Sequence, residues 1–230
     1  MLLPGLVDAY DVVLTDRAPI GEFPDPVPAG LPTVQGDLTD QEFVASVTDG
    51  VHAVVHLAAE ARADASWDRL RGPNIEGLVN ILHSDVRRVV LASSVHAMGG
   101  HVARGRVPVR PDWAPSPCCE YGATKAFAEA LGRVRADADR KHVVALRLGA
   151  TQPTPPAVTE LPLWLGTDDL RQLVSRALDT DLSFAVVNGI SANTRRMWDT
   201  DNPIGYLPTQ DSEAYASRIP RGDRSDRCPV

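Results

Sequence analysis

The sequence predicts an α/β fold, a doubly wound and mostly parallel sheet with helices on both faces. Three observations predict it. The runs 51–57, 88–92 and 143–148 are apolar almost throughout, without the polar alternation of a half-exposed sheet. They alternate with stretches of helical period. Several end in small or polar residues, Ala58-Ala59, Ser93-Ser94 and Gly149, at the strand end where open parallel sheets hold ligands.

The elements follow in order. Residues 11–15 form a strand ending at Asp16, and 32–35 a shorter one followed by Gly36-Asp37. Thr39 caps a helix, with Glu42 three residues on completing a capping box and Phe43, Val44 and Val47 on its buried side. After the strand 51–57, Pro73 opens a helix with the apolar face Ile75, Leu78, Val79 and Leu82. The strand 88–92 runs into Ser93-Ser94, and a loop rich in Gly, Pro and Arg covers 96–117. A helix over 119–139 carries the stripe Ala123, Ala126, Phe127, Ala130, Leu131 and Val134 as its core face. The strand 143–148 follows, and Pro153, Pro155 and Pro156 forbid regular structure. Thr167 caps a helix that turns Leu170, Leu173, Val174 and Leu178 inward, and 184–187 is the last strand. The tail 220–230 is charged and expected to fray.

The chain has 230 residues, 43% hydrophobic and 23% charged, with a net charge of -7. That length suits one domain with a full core. No apolar run reaches the roughly 18 residues of a membrane span, and the start lacks the basic region of a secretory signal. The acidic balance argues against nucleic acid as a partner. Three cysteines, Cys118, Cys119 and Cys228, are an odd count with an adjacent pair, which does not read as a disulfide framework. A reduced, cytoplasmic setting is expected. The histidines are scattered without metal-ligand spacing, so no metal is expected.

Tyr121-Gly122-Ala123-Thr124-Lys125 is the sharpest chemical signal. Positions i and i+4 share a helix face, so phenol and ammonium project together, nearly opposite the Ala123/Phe127/Ala130 stripe and away from the core on that side. A neighbouring ammonium lowers a tyrosine pKa and makes it a usable base. It is notable that Lys125 is one of only two lysines, with Lys141. A hydroxyl of Ser93-Ser94 at a strand tip is placed to hold a substrate oxygen. Asp16 ends a strand where an acid in a nucleotide-binding sheet accepts from ribose hydroxyls, and Asp37 could reach an adenine edge.

Taken together, Val13-Leu14-Thr15-Asp16, Gly36-Asp37-Leu38, His56-Leu57-Ala58-Ala59, Asn74-Ile75-Glu76-Gly77, Ser93-Ser94, Tyr121 to Lys125 and Arg147-Leu148-Gly149 resemble the NAD-dependent epimerase/dehydratase branch of the extended short-chain dehydrogenase/reductases. The pieces stand in family order over roughly 7–190. Ser93-Ser94-Val95-His96, the compact C-terminal part and Trp164 before Thr167-Asp168-Asp169 look most like uronate dehydrogenases, which oxidise a uronic acid to a lactone with NAD. The resemblance implies a Rossmann-like NAD-binding domain over 1–230 with a small substrate-capping part at about 150–215. It implies Tyr121 as base, Lys125 lowering its pKa and binding the nicotinamide ribose, and Ser94 orienting the substrate oxygen, with His96 beside it. Asp16 would bind the adenosine ribose, and Asp37 and Leu38 the adenine. Ala58, Ala59, Asn74 and Ser93 would complete the cofactor site. A small-molecule substrate and a homodimer are the implied partners.

Two departures stand out. Val95 takes the place of an expected asparagine, Ala61 and Ala150 those of expected serines, and no arginine lies near Thr159 to pair with a sugar carboxylate. A less polar or uncharged substrate is expected. The family's first strand and Gly-rich phosphate turn are also missing, since the chain begins at what reads as the end of the first helix. In the strand order 3-2-1-4-5-6 that strand is central, so its loss separates the strand at Val12 from the strand at Val54. Either Met1 is a late start, or the shortened chain is real and binds NAD weakly or not at all. The leading function is an NAD-dependent oxidoreductase acting on a sugar-like or other secondary alcohol. The alternatives are a sugar-nucleotide epimerase or dehydratase, a cofactor-independent enzyme using Tyr121, Ser94 and Lys125 for proton transfer, and a non-catalytic relative.

Overall fold

The computed structural model describes residues 1–19, 22, 27–222 and 230. In chain order the elements are α1 (Leu3–Val7), β1 (Leu14–Asp16), β2 (Thr33–Gln35), α2 (Gln41–Thr48), β3 (Ala53–His56), α3 (Trp67–Leu70), α4 (Gly77–His83), β4 (Arg88–Ser94), α5 (Gly99–Ala103), α6 (Glu120–Asp139), β5 (His142–Leu148), β6 (Ala150–Thr151), β7 (Trp164–Leu165), α7 (Thr167–Asp179) and β8 (Phe184–Gly189).

The main sheet is parallel in the order β3-β4-β5-β8. Its strands are apolar through their middles because both faces are covered. Val89, Leu91, Val143 and Ala145 point into one core with Leu78 and Leu82 of α4. Val90, Val144, Leu146 and Val187 point into the other with Leu173 and Val174 of α7. The switch of face at each residue is the period of two of a β-strand. The fold is thus the expected doubly wound α/β arrangement.

β1 and β2 form a separate parallel pair, with Leu14 opposite Thr33 and Asp16 opposite Gln35. Among the described residues β1 is not hydrogen-bonded to β3. Met1, Leu2 and Leu6, with Ala53, Val55 and Leu148, pack against the α7-side core.

Four local expectations are corrected. The cap of α2 is Asp40, whose carboxylate accepts from the backbone N–H of Glu42 and Phe43. Thr39 is instead bound to Asp37 through both its N–H and its hydroxyl, which moves the helix start one residue on. Pro73 opens no helix: it sits within a π-type turn, Arg71–Glu76, that joins α3 to α4. Proline has no N–H to donate, and a widened turn accommodates it. The loop over 96–117 contains a 3-10 turn, Val95–Met98, and α5. The cap position of α7 falls on Gly166, one residue before Thr167.

The largest correction concerns α6. Its buried residues are Tyr121, Gly122, Thr124, Lys125, Ala128, Glu129, Gly132 and Ala136, whereas Ala123, Phe127, Ala130 and Val134 are exposed. The helix meets the sheet through its smallest side chains. A Cβ at Gly132 would stand 3.0 Å from Val143 Cγ1 and 3.1 Å from Leu91 Cδ1. Close approach of this kind selects glycine and alanine; of the expected stripe only Ala126 and Leu131 are half-buried and packed against the cores.

Candidate active site

A cleft of about 510 Å³ opens at the carboxyl ends of β4 and β5, beside the first turns of α6. Ser93 and Ser94 end β4, and Tyr121 and Lys125 reach the cleft one helical turn apart on α6. The start of α6 is fixed by Cys119, whose Sγ accepts from the Gly122 N–H at 3.4 Å. Gly122 lets the helix lie against the preceding turn, since a Cβ there would be 2.3 Å from the His96 carbonyl oxygen.

Ser94, Tyr121 and Lys125 come together as expected. The Ser94 hydroxyl is hydrogen-bonded to the Tyr121 side chain, and the Lys125 ammonium lies 5.7 Å from the Tyr121 ring centroid. Lys125 Nζ donates to the Ala92 carbonyl at 2.7 Å. The electrostatics differ from the sequence expectation. Burial raises the Tyr121 pKa, the bond from Ser94 opposes that rise, and the Cys119 thiol adds to it. Lys125 is itself pushed down to about 8 by burial. Burial therefore makes the ammonium of Lys125 easier to lose near neutral pH than that of a free lysine.

His96 also lines the cleft, edge-on to Tyr121 with ring centroids 5.4 Å apart. Burial lowers its pKa. Its Nδ1 lies 3.7 Å from Cys118 Sγ and 3.6 Å from Cys119 Sγ. Sequence spacing shows no metal cluster, yet folding brings these three ligand atoms within 4.8 Å of one another. Cys118 is disulfide-bonded, which corrects the reading of cysteines without a bridge, because pairing depends on proximity in space and not on count. Cys119 is a free thiol. With one sulfur already bonded, the trio lacks the second thiolate of a soft-metal site, and no metal is assigned.

Ser93 lines the cleft, but its hydroxyl is committed to Glu129 Oε1 at 2.6 Å. Asn74 is buried and clamps the segment after β3. Its Oδ1 accepts from the Glu60 N–H at 2.7 Å, and its Nδ2 donates to the Glu60 carbonyl and the Thr124 hydroxyl, both at 3.0 Å. That clamp holds Ala59 on the cleft wall, while Ala58 is exposed. Asp16 ends β1, with Oδ1 accepting from the Ala18 N–H. Asp37 is held below its ordinary pKa by its two bonds from Thr39. Leu38 packs against Gly77 and the α4-side core. Asp16, Asp37 and Leu38 lie outside the residues lining the cleft.

Sequence reasoning missed Glu160, Thr151 and Leu163 as lining residues, because the proline-rich segment has no periodicity to read. Nor did it pair Arg147 with Glu129, which stand 18 positions apart and meet only through the α6–β5 packing.

A family model described as the NAD dependent epimerase/dehydratase family matches residues 6–151. The NAD-dependent glucose-6-phosphate dehydrogenase of Haloferax volcanii is 34% identical over 93% of this chain and 90% of its own length. A uronate dehydrogenase of Pseudomonas putida is 28% identical over 95% of this chain and 87% of its own. The crystal structure of uronate dehydrogenase from Agrobacterium tumefaciens superposes with a TM-score of 0.84, at 26% identity, covering 99% of this chain and 89% of that one. No helix among the described residues is long and apolar enough to cross a membrane. With the parallel sheet and the Ser94–Tyr121–Lys125 grouping at its carboxyl edge, these matches show that the chain belongs to the NAD-dependent epimerase/dehydratase family of enzymes.

Proposed function

We propose that the protein is an NAD-dependent oxidoreductase that oxidises a sugar-like or other secondary alcohol, with Tyr121 as the base. The observation that carries this reading is the Ser94–Tyr121 hydrogen bond with the Lys125 ammonium beside the ring. The donor set suits a dinucleotide. An ammonium has three N–H donors, and Lys125 gives one to Ala92, which leaves two for ribose hydroxyls. Asp16 keeps Oδ2 for the adenosine ribose, and Asp37 with Leu38 would face the adenine. Asn74 and Ala59 would shape the middle of the cofactor site. Bound NAD supplies the hydride acceptor. Ser94 would orient the substrate hydroxyl and Tyr121 would take its proton, the oxidised product being a carbonyl compound or lactone. Ala150, Thr151, Glu160 and Leu163 line the cleft, which supports reading the segment after β5 as a substrate cap. A cytoplasmic place of work belongs to the same reading.

We also infer a homodimer. Ala123, Phe127, Ala130 and Val134 form an exposed stripe along the 20-residue helix α6, a face suited to a second copy of the same helix.

The separation of β1 from β3 favours a second reading, proton transfer by Tyr121, Ser94 and Lys125 without hydride. One experiment divides the two. Purified protein is titrated with NADH by fluorescence, then assayed with NAD and a panel of aldoses and secondary alcohols by NADH absorbance. Binding with NADH formation, lost in Tyr121→Phe, supports the dehydrogenase. Absence of NADH binding removes it.

A further inference from the structure

Folding gathers three metal-ligating atoms. His96 Nδ1 lies 3.7 Å from Cys118 Sγ and 3.6 Å from Cys119 Sγ, and all three atoms fall within 4.8 Å of one another. Around a tetrahedral Zn2+, with bonds of about 2.3 Å to sulfur and about 2.05 Å to nitrogen, an N···S edge is about 3.6 Å and an S···S edge about 3.8 Å. The two histidine edges already have that length, and the sulfur pair has to close by no more than about 1 Å. The backbone holds the group together. The Cys118 N–H donates to the His96 carbonyl at 3.3 Å, and a Cβ at Gly99 would meet the Cys118 sulfur at 2.4 Å, so glycine leaves that sulfur its room. All three side chains are half-buried, within reach of an ion from solvent. Burial keeps His96 toward the neutral form that binds metals. Burial also holds the Cys119 thiol above its ordinary pKa, against the pull of the Gly122 and Tyr121 N–H groups, so an ion has to displace its proton.

The obstacle is the bond that Cys118 makes to another sulfur. We propose that reduction of this disulfide turns His96, Cys118 and Cys119 into a binding site for one divalent cation of the zinc class. A thiol reductant cleaves the S–S bond in two exchange steps, its own sulfurs ending as a disulfide and the protein's two sulfurs as thiols. The cation then takes His96 Nδ1 and the thiolates of Cys118 and Cys119, and two protons are released. Two thiolates balance the double charge of the ion, which suits a half-buried place. Sulfur and imidazole favour zinc-class ions over Mg2+ and Ca2+, which prefer oxygen. The occupied site staples the Val95–Met98 turn to the start of α6, two residues before Tyr121.

Co2+ is the probe, because it enters zinc sites and its thiolate charge-transfer absorbance reports bound sulfur. The full chain is reduced with a phosphine and desalted without air, or left oxidised, and each sample is titrated with Co2+ and then with Zn2+. The reduced protein is expected to bind one equivalent of tetrahedral, thiolate-ligated Co2+ that Zn2+ displaces, and to gain Tm with Zn2+. The oxidised protein is expected to show neither effect. Cys118→Ser, Cys119→Ser and His96→Ala are each expected to weaken Zn2+ binding at least about 100-fold, the upper end of what outer-shell changes alone cost. Cys228→Ser, at the remaining cysteine, is expected to keep the reduced-state absorbance. The proposal is overturned by a reduced wild-type chain without the cobalt absorbance, by equal absorbance in the oxidised chain, by absorbance that survives loss of any one of the three ligands, or by its loss in Cys228→Ser. The comparison of reduced with oxidised wild type needs no variant, so it decides even where a substitution disturbs folding.

Discussion

Arg147 and Glu129 form a fork-to-fork ion pair in the interior, with Nε to Oε1 and Nη2 to Oε2 both at 2.8 Å and only 2% and 4% of the two side chains exposed. The same carboxylate accepts from Ser93, and Arg147 also donates to the Pro111 carbonyl at 3.2 Å. One carboxyl group therefore joins β4, α6 and β5. It does so one residue before Ser94 and one helical turn past Lys125. Glu129→Gln leaves a buried guanidinium without its counter-charge, which costs on the order of 3–5 kcal/mol. For a chain of this size that is a fall in Tm on the order of 10 °C by circular dichroism. The double replacement Glu129→Leu with Arg147→Met removes both charges together and is expected to recover more than half of the loss. A double variant as unstable as the single would show that the pair does not act as a unit.

Where each residue's partners are local, the sequence was readable. β4, β5 and α7 were legible because a strand covered on both faces and an amphipathic helix leave their own periods in the chain. Tyr121 with Lys125 was legible because four positions on a helix fix a direction, and the gap between β1 and β3 followed from topology. The core face of α6 was not legible. Its stripe of Ala, Phe and Val is more apolar than the face with Tyr121, Thr124, Lys125 and Glu129, so hydrophobicity selects the outer side. What decides the orientation is closeness of approach at Gly122 and Gly132, together with polar partners 18 to 50 residues away that no local pattern reveals. The rise in the Tyr121 pKa was hidden for the same reason, since burial depends on the whole fold.

The exposed stripe of α6 has its own test. Phe127 is 38% exposed and Val134 is 54% exposed. If a second copy covers them, Phe127→Glu together with Val134→Glu is expected to halve the mass seen by analytical ultracentrifugation, because paired carboxylates facing each other across a two-fold axis repel. Tm at high protein concentration should fall toward the dilute value. A wild-type chain that sediments as a monomer at micromolar concentration removes the dimer.

Lys125 is expected to cost stability. Its folded pKa of about 8 lies below the ordinary 10.5, so its charged form is disfavoured in the native state. Between these values the unfolded chain binds more protons, and stability from this group rises with pH across that window. Below about pH 8 the full penalty applies, on the order of 2–3 kcal/mol. Lys125→Met is therefore expected to raise Tm at neutral pH while abolishing turnover, with the gain shrinking as pH climbs past 8. Loss of Tm at neutral pH in this variant would place the ammonium among the stabilising groups instead.

His56 works in the opposite pH range. It ends β3, buried, and burial followed by the charge of Lys125 lowers its pKa from 6.5 to about 3. The native state resists protonating it while the unfolded chain does not. Stability is complete above pH 6.5 and declines as pH falls toward 3, by on the order of 5 kcal/mol in all. His56→Gln, which does not titrate, is expected to flatten that part of the Tm–pH curve while lowering its neutral plateau slightly through imperfect packing. A wild-type curve flat between pH 6.5 and 4 would rule out a buried neutral imidazole here.

Gly122 couples the catalytic helix to the His96 turn. A methyl group at this position would stand 2.3 Å from the His96 carbonyl oxygen and 2.8 Å from its carbon, both backbone atoms with little freedom to yield. The Cys118 N–H donates to that same carbonyl at 3.3 Å, and the Gly122 N–H is the donor to the Cys119 cap. Gly122→Ala must therefore push the first turn of α6 away from the Val95–Met98 turn, and it carries Tyr121 with it. A shift on the order of 1 Å in a reacting group costs roughly a hundredfold in rate. The expected result is a large fall in kcat with NADH affinity reduced far less, because Lys125 sits a full turn further along the helix and the Asp16 end of the site is untouched. A Tm loss of a few degrees should accompany it. If Gly122→Ala keeps wild-type kcat, Tyr121 does not depend on this close approach, and its role as the positioned base is in doubt.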